Sequence, residues 1–129
     1  MPKPKLPEPT DAELEILLVL WETGPATVRD VYERLSPRRP IVYTTVLKLM
    51  QIMAEKGLVE RDESQRAHVY RARLSQEEAR RRLVGDLLDR LFQGSAKQLV
   101  MQALSSKKAT REELGEIRRM LDEMTRGAK

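Results

Sequence analysis

Between Tyr43 and Arg73 the chain reads YTTVLKLMQIMAEKGLVERDESQRAHVYRAR, and its periodicity changes from helical to strand-like part-way. Val46, Leu49, Met50 and Met53 recur on one helical stripe, while Thr45, Lys48 and Gln51 or Ile52 lie elsewhere, so one side is core and another is available. Lys56-Gly57 closes the helix, glycine being suited to the left-handed position after a C-terminus. Leu58 to Arg61 and Ala67 to Arg71 then read as two basic, β-prone strands around a polar turn, Asp62 to Arg66. A five-residue connection permits several turn geometries, which leaves the register open. A helix followed by a basic hairpin is the order of a winged helix-turn-helix. Tyr43, Thr44, Thr45 and Lys48 stand at the start of that helix, as groups able to meet phosphates and base edges.

Upstream, Arg38-Arg39-Pro40 forms a turn leading into a helix expected over 41–56. Before it, Thr27 can cap a short helix through Val28, Val31, Tyr32 and Leu35, stopped near Ser36-Pro37. Farther back, Leu14, Leu17, Leu18 and Trp21 fall at i, i+3, i+4 and i+7, predicting a helix over 11–23 closed by Gly24-Pro25. Thr10 with Glu13, Ser75 with Glu78 and Thr110 with Glu113 have capping-box spacing, a hydroxyl residue and then Glu three positions on.

Downstream of Ser75 the composition turns to helix formers. Leu83, Leu87, Leu88 and Leu91 form one stripe as far as Gly94, then Leu99, Val100, Ala103 and Leu104 a second, and Leu114, Ile117, Leu121 and Met124 a third. Three short helices make a thin core alone, and each buried Leu or Ile contributes roughly 1.5 to 3 kcal/mol, so pairing with a second copy is the expected remedy. The rival is that these stripes fold back on the N-terminal domain. The predicted class is mainly α with a small β-hairpin: a flexible tail over 1–9, a winged helix-turn-helix over 10–74 and a helical dimerisation domain over 75–126. The dimerising residues are then Leu83, Leu87, Leu91, Leu99, Val100, Leu104, Leu114, Ile117 and Leu121.

The 129 residues carry a formal charge of +4, unevenly spread. Residues 1–33 hold three Lys/Arg against seven Asp/Glu, and residues 34–73 hold nine against four. The positive excess lies beside the helix and hairpin, as neutralising a polyanion requires; an ordinary solvated surface is the bland alternative. With no cysteine, thiolate metal sites, disulfides and cysteine nucleophiles are excluded. The Pro/Lys-rich start lacks an apolar core and the run Ile16 to Trp21 is too short to span a bilayer, so a cytoplasmic protein without direct membrane association is expected.

The Tyr-Thr-Thr-Val start at 43–46, the Lys-Gly-Leu-Val joint at 56–59 and the His-Val-Tyr strand at 68–70 occur together, with Leu14 to Leu17 and Trp21 upstream and Leu99-Val100 downstream. In these the chain resembles the penicillinase and methicillin-resistance repressors. The resemblance implies a homodimeric repressor whose winged helices bind a two-fold symmetric double-stranded DNA operator and whose C-terminal helices interlock. It places Tyr43, Thr44, Thr45 and Lys48 toward the groove, and Arg66 and His68 in or beside the wing. Arg38 and Arg39 are expected to reach phosphates. Tyr43 could equally be a buried anchor, and Arg38 and Arg39 a solvated turn. The resemblance also implies a membrane sensor protease that cleaves in the middle C-terminal helix. The matching bond is Gln102-Ala103, where Asn followed by Phe is expected, and the simpler reading of 99–104 is an apolar helix at the dimer core. A copper-sensing branch carrying Cys-x-Cys motifs is excluded by the lack of cysteine.

An enzyme is not expected: the lone His68 has no catalytic partner in sequence, and no cofactor or metal site is foreseen. Arg80-Arg81-Arg82 after Glu77-Glu78 reads as a solvated helix face with Glu77 and Arg81 paired. The rival function is a winged-helix protein-protein adaptor without a DNA role. RNA binding lacks interleaved aromatics, since Phe and Tyr together number four.

Overall fold

The computed structural model describes residues 8–106 and 108–128. Most of the expected tail, 1–9, and Lys107 lie outside those residues. The elements in chain order are α1 (Asp11–Thr23), β1 (Ala26–Thr27), α2 (Val28–Leu35), α3 (Tyr43–Lys56), β2 (Val59–Asp62), β3 (Val69–Ala72), α4 (Gln76–Phe92), α5 (Ala96–Ser106) and α6 (Arg111–Gly127). The chain divides into two compact units, with the division between Val84 and Gly85, inside α4.

Hydroxyl caps start the helices where the sequence puts them. At α1 the box is complete: Glu13 N–H donates to Thr10 Oγ1 (3.2 Å) and Thr10 N–H to Glu13 Oε1 (2.9 Å). Asp30 completes a second box with Thr27 at the start of α2, the shorter carboxylate standing in for Glu. Ser75 and Thr110 accept from the N–H groups of Glu78 and Glu113.

The core of the first unit is made by α1, α2, α3 and the sheet. Val31, Val46, Met50, Met53 and Ile16 are fully buried and Tyr70 nearly so. On α1 the buried stripe is not the one expected. Leu18 is 44% exposed and Leu14 and Trp21 half-buried, whereas Glu13, Ile16, Leu17 and Leu20 face inward. The spacing i, i+3, i+4, i+7 is preserved but begins one residue earlier, on an acid that an apolar count passes over. Trp21 still packs against the core and donates its indole N–H to Leu74 O at 2.9 Å.

Glu13 is sheltered by charge as well as by its cap. Its carboxylate takes both Oε1 (2.9 Å) and Oε2 (3.0 Å) contacts from Lys56 Nζ, joining the first turn of α1 to the last residue of α3. Burial pushes the Glu13 carboxyl up, but the Thr10 N–H and the Lys56 ammonium together outweigh it and hold the group below the usual glutamate range.

The expected hairpin is part of a three-stranded antiparallel sheet of order β1-β3-β2. Ala26 and Thr27 pair with Tyr70 and Val69, a two-residue strand too short to leave a periodic signature. Val59 opposes Ala72 and Asp62 opposes Val69. The paired segments start later than expected, β2 by one residue and β3 by two. Leu58 N–H is spent on Met53 O (2.9 Å) in the helix ending, and Gly57 makes that turn at φ 83°. Ala67 and His68 remain exposed in the connection. Helix α3 likewise starts at Tyr43 rather than Ile41, because Val42 is extended and its carbonyl accepts from Thr45 and Val46 N–H (3.1 and 3.3 Å).

In the second unit α5 and α6 bury no residue within the single chain. Helix α4 ends at Phe92, where Gln93 and Gly94 both turn to positive φ. Ser95 Oγ then accepts from Gln98 N–H (3.2 Å) to begin α5. Among the described residues no helix is long and apolar enough to cross a membrane.

Candidate nucleic-acid interface

Helix α3 is fixed on one side by Val46, Met50 and Met53 in the core and at its end by Lys56 on Glu13. Burying these three apolar side chains contributes roughly 1.5 to 3 kcal/mol each. What remains outward is therefore presented by a rigid rod. Thr44, Thr45 and Lys48 are exposed on it. Among the described residues Lys48 makes no ion pair, so its three donors are available to an external acceptor.

Tyr43 sits differently from its neighbours. Its ring meets Tyr32 edge to face, with centroids 5.8 Å apart and planes at 75°, and Arg29 Cζ lies 5.4 Å from its centroid. At 38% exposure it is neither a buried anchor nor a free group. The contact ties the start of α3 to α2, and the aromatic edge and cation-over-face geometries are both favourable ones.

Beside this face lies an open cleft of about 510 Å³ between α2, α3 and the wing. Tyr43, Leu47 and Gln51 line it from α3, Arg66 and His68 from the wing connection, and Arg29 from α2. The structure thus brings Tyr43, Arg66 and His68 to one cleft, with Thr44, Thr45 and Lys48 exposed on the same helix. Arg38 and Arg39 lie in the turn before α3, where their N–H groups donate to Leu35 O (2.9 and 3.2 Å). Arg39 Nη1 is held by Glu15 Oε1 at 2.8 Å, which competes with the phosphate contact expected of it.

The wing is braced internally. Glu60 pairs with Arg71 across the β2–β3 ladder. Asp62 Oδ1 accepts from Ser64 N–H (2.9 Å), a turn-closing bond that holds the Asp62 carboxyl below its ordinary range. The Tyr70 side chain, and after it the Glu63 carboxylate paired with Arg61 at 2.6 Å, push the Arg61 guanidinium above its ordinary value. Arg66 carries no such brace: among the described residues it forms no ion pair.

Arg29 and Arg61 escaped the sequence reading, and Gln51, read there as lying off the apolar stripe, lines the cleft. Gln51 is one turn beyond Leu47 on the cleft-facing row, a placement that follows once Tyr43 is known to start the helix. Arg29 is announced only by the aromatic pair it covers, and that pair joins two helices. Among the described residues no group of three or more His, Asp or Glu side chains is arranged to hold a metal ion.

The sequence pattern that describes the penicillinase repressor matches residues 9–123. The chain belongs to that family. Relatives include the transcriptional regulator BlaI of Mycobacterium tuberculosis, 45% identical over 67 residues that make up 51% of this chain and 49% of that one. The chain therefore spans about half the length of that relative. The penicillinase repressor of Bacillus licheniformis is 24% identical over 119 residues, covering 92% of this chain and 93% of that protein. Among solved structures, the DNA-binding domain of the repressor BlaI superposes with a TM-score of 0.51 at 24% identity, covering 59% of this chain and 93% of that one. The monomeric Bacillus licheniformis BlaI in complex with the blaP half-operator gives 0.50 at 24% identity, covering 57% and 90%. These two likenesses establish the winged-helix fold.

Proposed function

We propose that this family member is a cytoplasmic transcriptional repressor that acts as a homodimer, setting α3 of each subunit into successive major grooves of a two-fold symmetric operator. The observation that carries the reading is the exposed row Thr44, Thr45 and Lys48 on a helix whose opposite side is locked in the core. Threonine hydroxyls serve phosphates or base edges, their methyls can touch thymine methyls, and Lys48 offers donors to guanine or phosphate. The BlaI relative whose structure contains a half-operator lends further support. No enzymatic step is assigned to the chain.

Dimerisation is assigned to the apolar rows of α4, α5 and α6, which include Leu87, Leu91, Val100, Leu104, Leu114 and Leu121, all exposed in the single chain. A surface of that kind is the mark of an interface rather than of a solvated face. Gln102 and Ala103 lie within α5, and we read them as part of that interface, with cleavage by a membrane sensor protease as the rival role. Half-sites are expected about 10 bp apart or at a small multiple of that, from the geometry of paired helices in one duplex.

A gel-shift titration of the full chain against a duplex selected from a random pool, run across salt, tests the proposal. Affinity should fall linearly with salt on logarithmic axes, with a slope of about 0.9 for each phosphate neutralised. Affinity that barely changed with salt, or no selectable sequence at all, would favour the adaptor reading instead.

A further inference from the structure

We infer that Arg29, on α2, is a backbone-phosphate contact aimed by Tyr43, and that Tyr43 is accordingly a positioning residue and not a reader of bases. The inference rests on the DNA-binding reading above and adds a residue and a division of labour to it.

A helix seated in a major groove with its wing reaching the neighbouring minor groove must have one sugar-phosphate strand passing between helix and wing. In this fold that space is the cleft between α2, α3 and the wing. Arg29 lines one side of it, and Arg66 and His68 line it from the wing connection. The cleft also holds Arg61 and one carboxylate, Asp30, but both have partners: Arg61 is committed to Glu63 at 2.6 Å, and Asp30 Oδ2 accepts the Thr27 N–H of the helix cap at 3.1 Å. Arg29 and Arg66 are left as the cations available to an anion there.

Arg29 has two neighbours that differ in kind. Glu33 is 3.9 Å away, with both side chains about two-thirds exposed, a pairing too loose and too wet to hold it. The Tyr43 ring beneath it supplies a fixed surface, since the ring is itself set by the edge contact with Tyr32. A guanidinium held over an aromatic face by cation–π attraction keeps its five N–H donors uncommitted, so they can still donate to phosphate oxygens. With its face under Arg29 and its packing fixed by Tyr32, Tyr43 has little freedom left to follow a base edge. The neighbouring Thr44, Thr45 and Lys48 retain that freedom.

The test uses the full chain and two duplexes, one of random sequence and one selected by the unsubstituted protein. R29Q removes one phosphate contact from each subunit, so it should weaken binding to both alike, by about sixtyfold at 0.1 M salt, and lower the logarithmic salt slope by about 1.8. The ratio of selected to random affinity should not move. Y43L should reproduce the R29Q slope, the double variant should be no weaker than either single one, and Y43F should restore the slope because it keeps the ring. A thermal melt identifies any variant that has lost its fold, and E33Q, which removes a negative charge 3.9 Å from Arg29 without touching the core, should then strengthen binding to both duplexes. An R29Q slope equal to that of the unsubstituted protein overturns the assignment of Arg29. A fall in the selected-to-random ratio with Y43L returns Tyr43 to base reading. Failure of the unsubstituted protein to bind either duplex overturns the underlying DNA reading instead.

Discussion

The two units of this chain use the same kind of amphipathic helix to opposite ends. In the first, α1, α2 and α3 turn their apolar stripes toward one another and the sheet, so that Ile16, Val31, Val46, Met50 and Met53 are sealed from water. In the second, the end of α4 and the helices α5 and α6 carry stripes as regular, yet Leu91, Leu121 and Met124 are each more than half exposed. Periodicity tells which side of a helix is apolar; only the number of neighbours within reach tells whether that side is satisfied. The first unit completes its own core, and the second leaves its apolar rows exposed in the single chain.

The widest gap between the units should appear in stability. Met50→Ala removes a fully buried side chain and is expected to cost about 2 to 5 kcal/mol in urea unfolding. The same truncation of Met124 should leave the unfolding of the first unit unchanged, and a similar cost at both sites would erase the distinction. Next comes association: Leu121→Asp places a charge in the proposed interface and should weaken it by about 2 kcal/mol or more, read as monomer by light scattering at concentrations where the unsubstituted chain is dimeric. A dimer that survives would put the interface elsewhere. Lys48→Ala should cost about 1 to 3 kcal/mol in binding a selected duplex, with dimerisation intact, and an unaltered affinity would remove it from the reading surface.

The smallest effect concerns acid. Glu13 is held below its ordinary range in the folded chain, so its contribution to stability is fully present above the unfolded-chain value of about 4.3 and is lost as pH falls through the lower, folded value. Glu13→Gln should cost roughly 1 to 2 kcal/mol at neutral pH, moderated because Lys56 is one-third exposed. It should also flatten the acid limb of the stability profile. An identical acid limb in the variant would show that other carboxylates govern it.

Much of this was legible in the residues. Thr10, Thr27, Ser75 and Thr110 announce four helices because a hydroxyl beside an acid three positions on is a local device, complete within one turn. Gly57 ends α3 for an equally local reason: at φ 83° a side chain would be strained, and a Cβ would stand 3.2 Å from Arg73 Nη1. What escaped was non-local. Glu13 and Lys56 are 43 positions apart, and a helix count that scores apolar residues treats both as surface. Ala26 and Thr27 form a strand only because β3 comes alongside. Arg29 belongs to the candidate site through an aromatic pair spanning two helices. The row Thr44, Thr45 and Lys48 was legible as the outer side of a helix whose inner side is apolar, whereas the commitment of Arg39 to Glu15 was not.

The two-residue strand has a mechanical meaning. Ala26 and Thr27 are laced to β3 and run directly into α2, so the arm that carries Arg66 and His68 and the root of α2 hang from a single fastening. Splaying that arm means tearing the lacing at Tyr70, whose side chain is almost wholly enclosed. The span between arm and α3 is therefore gauged in advance, and a duplex bound as proposed would have to match that width or deform to enter it.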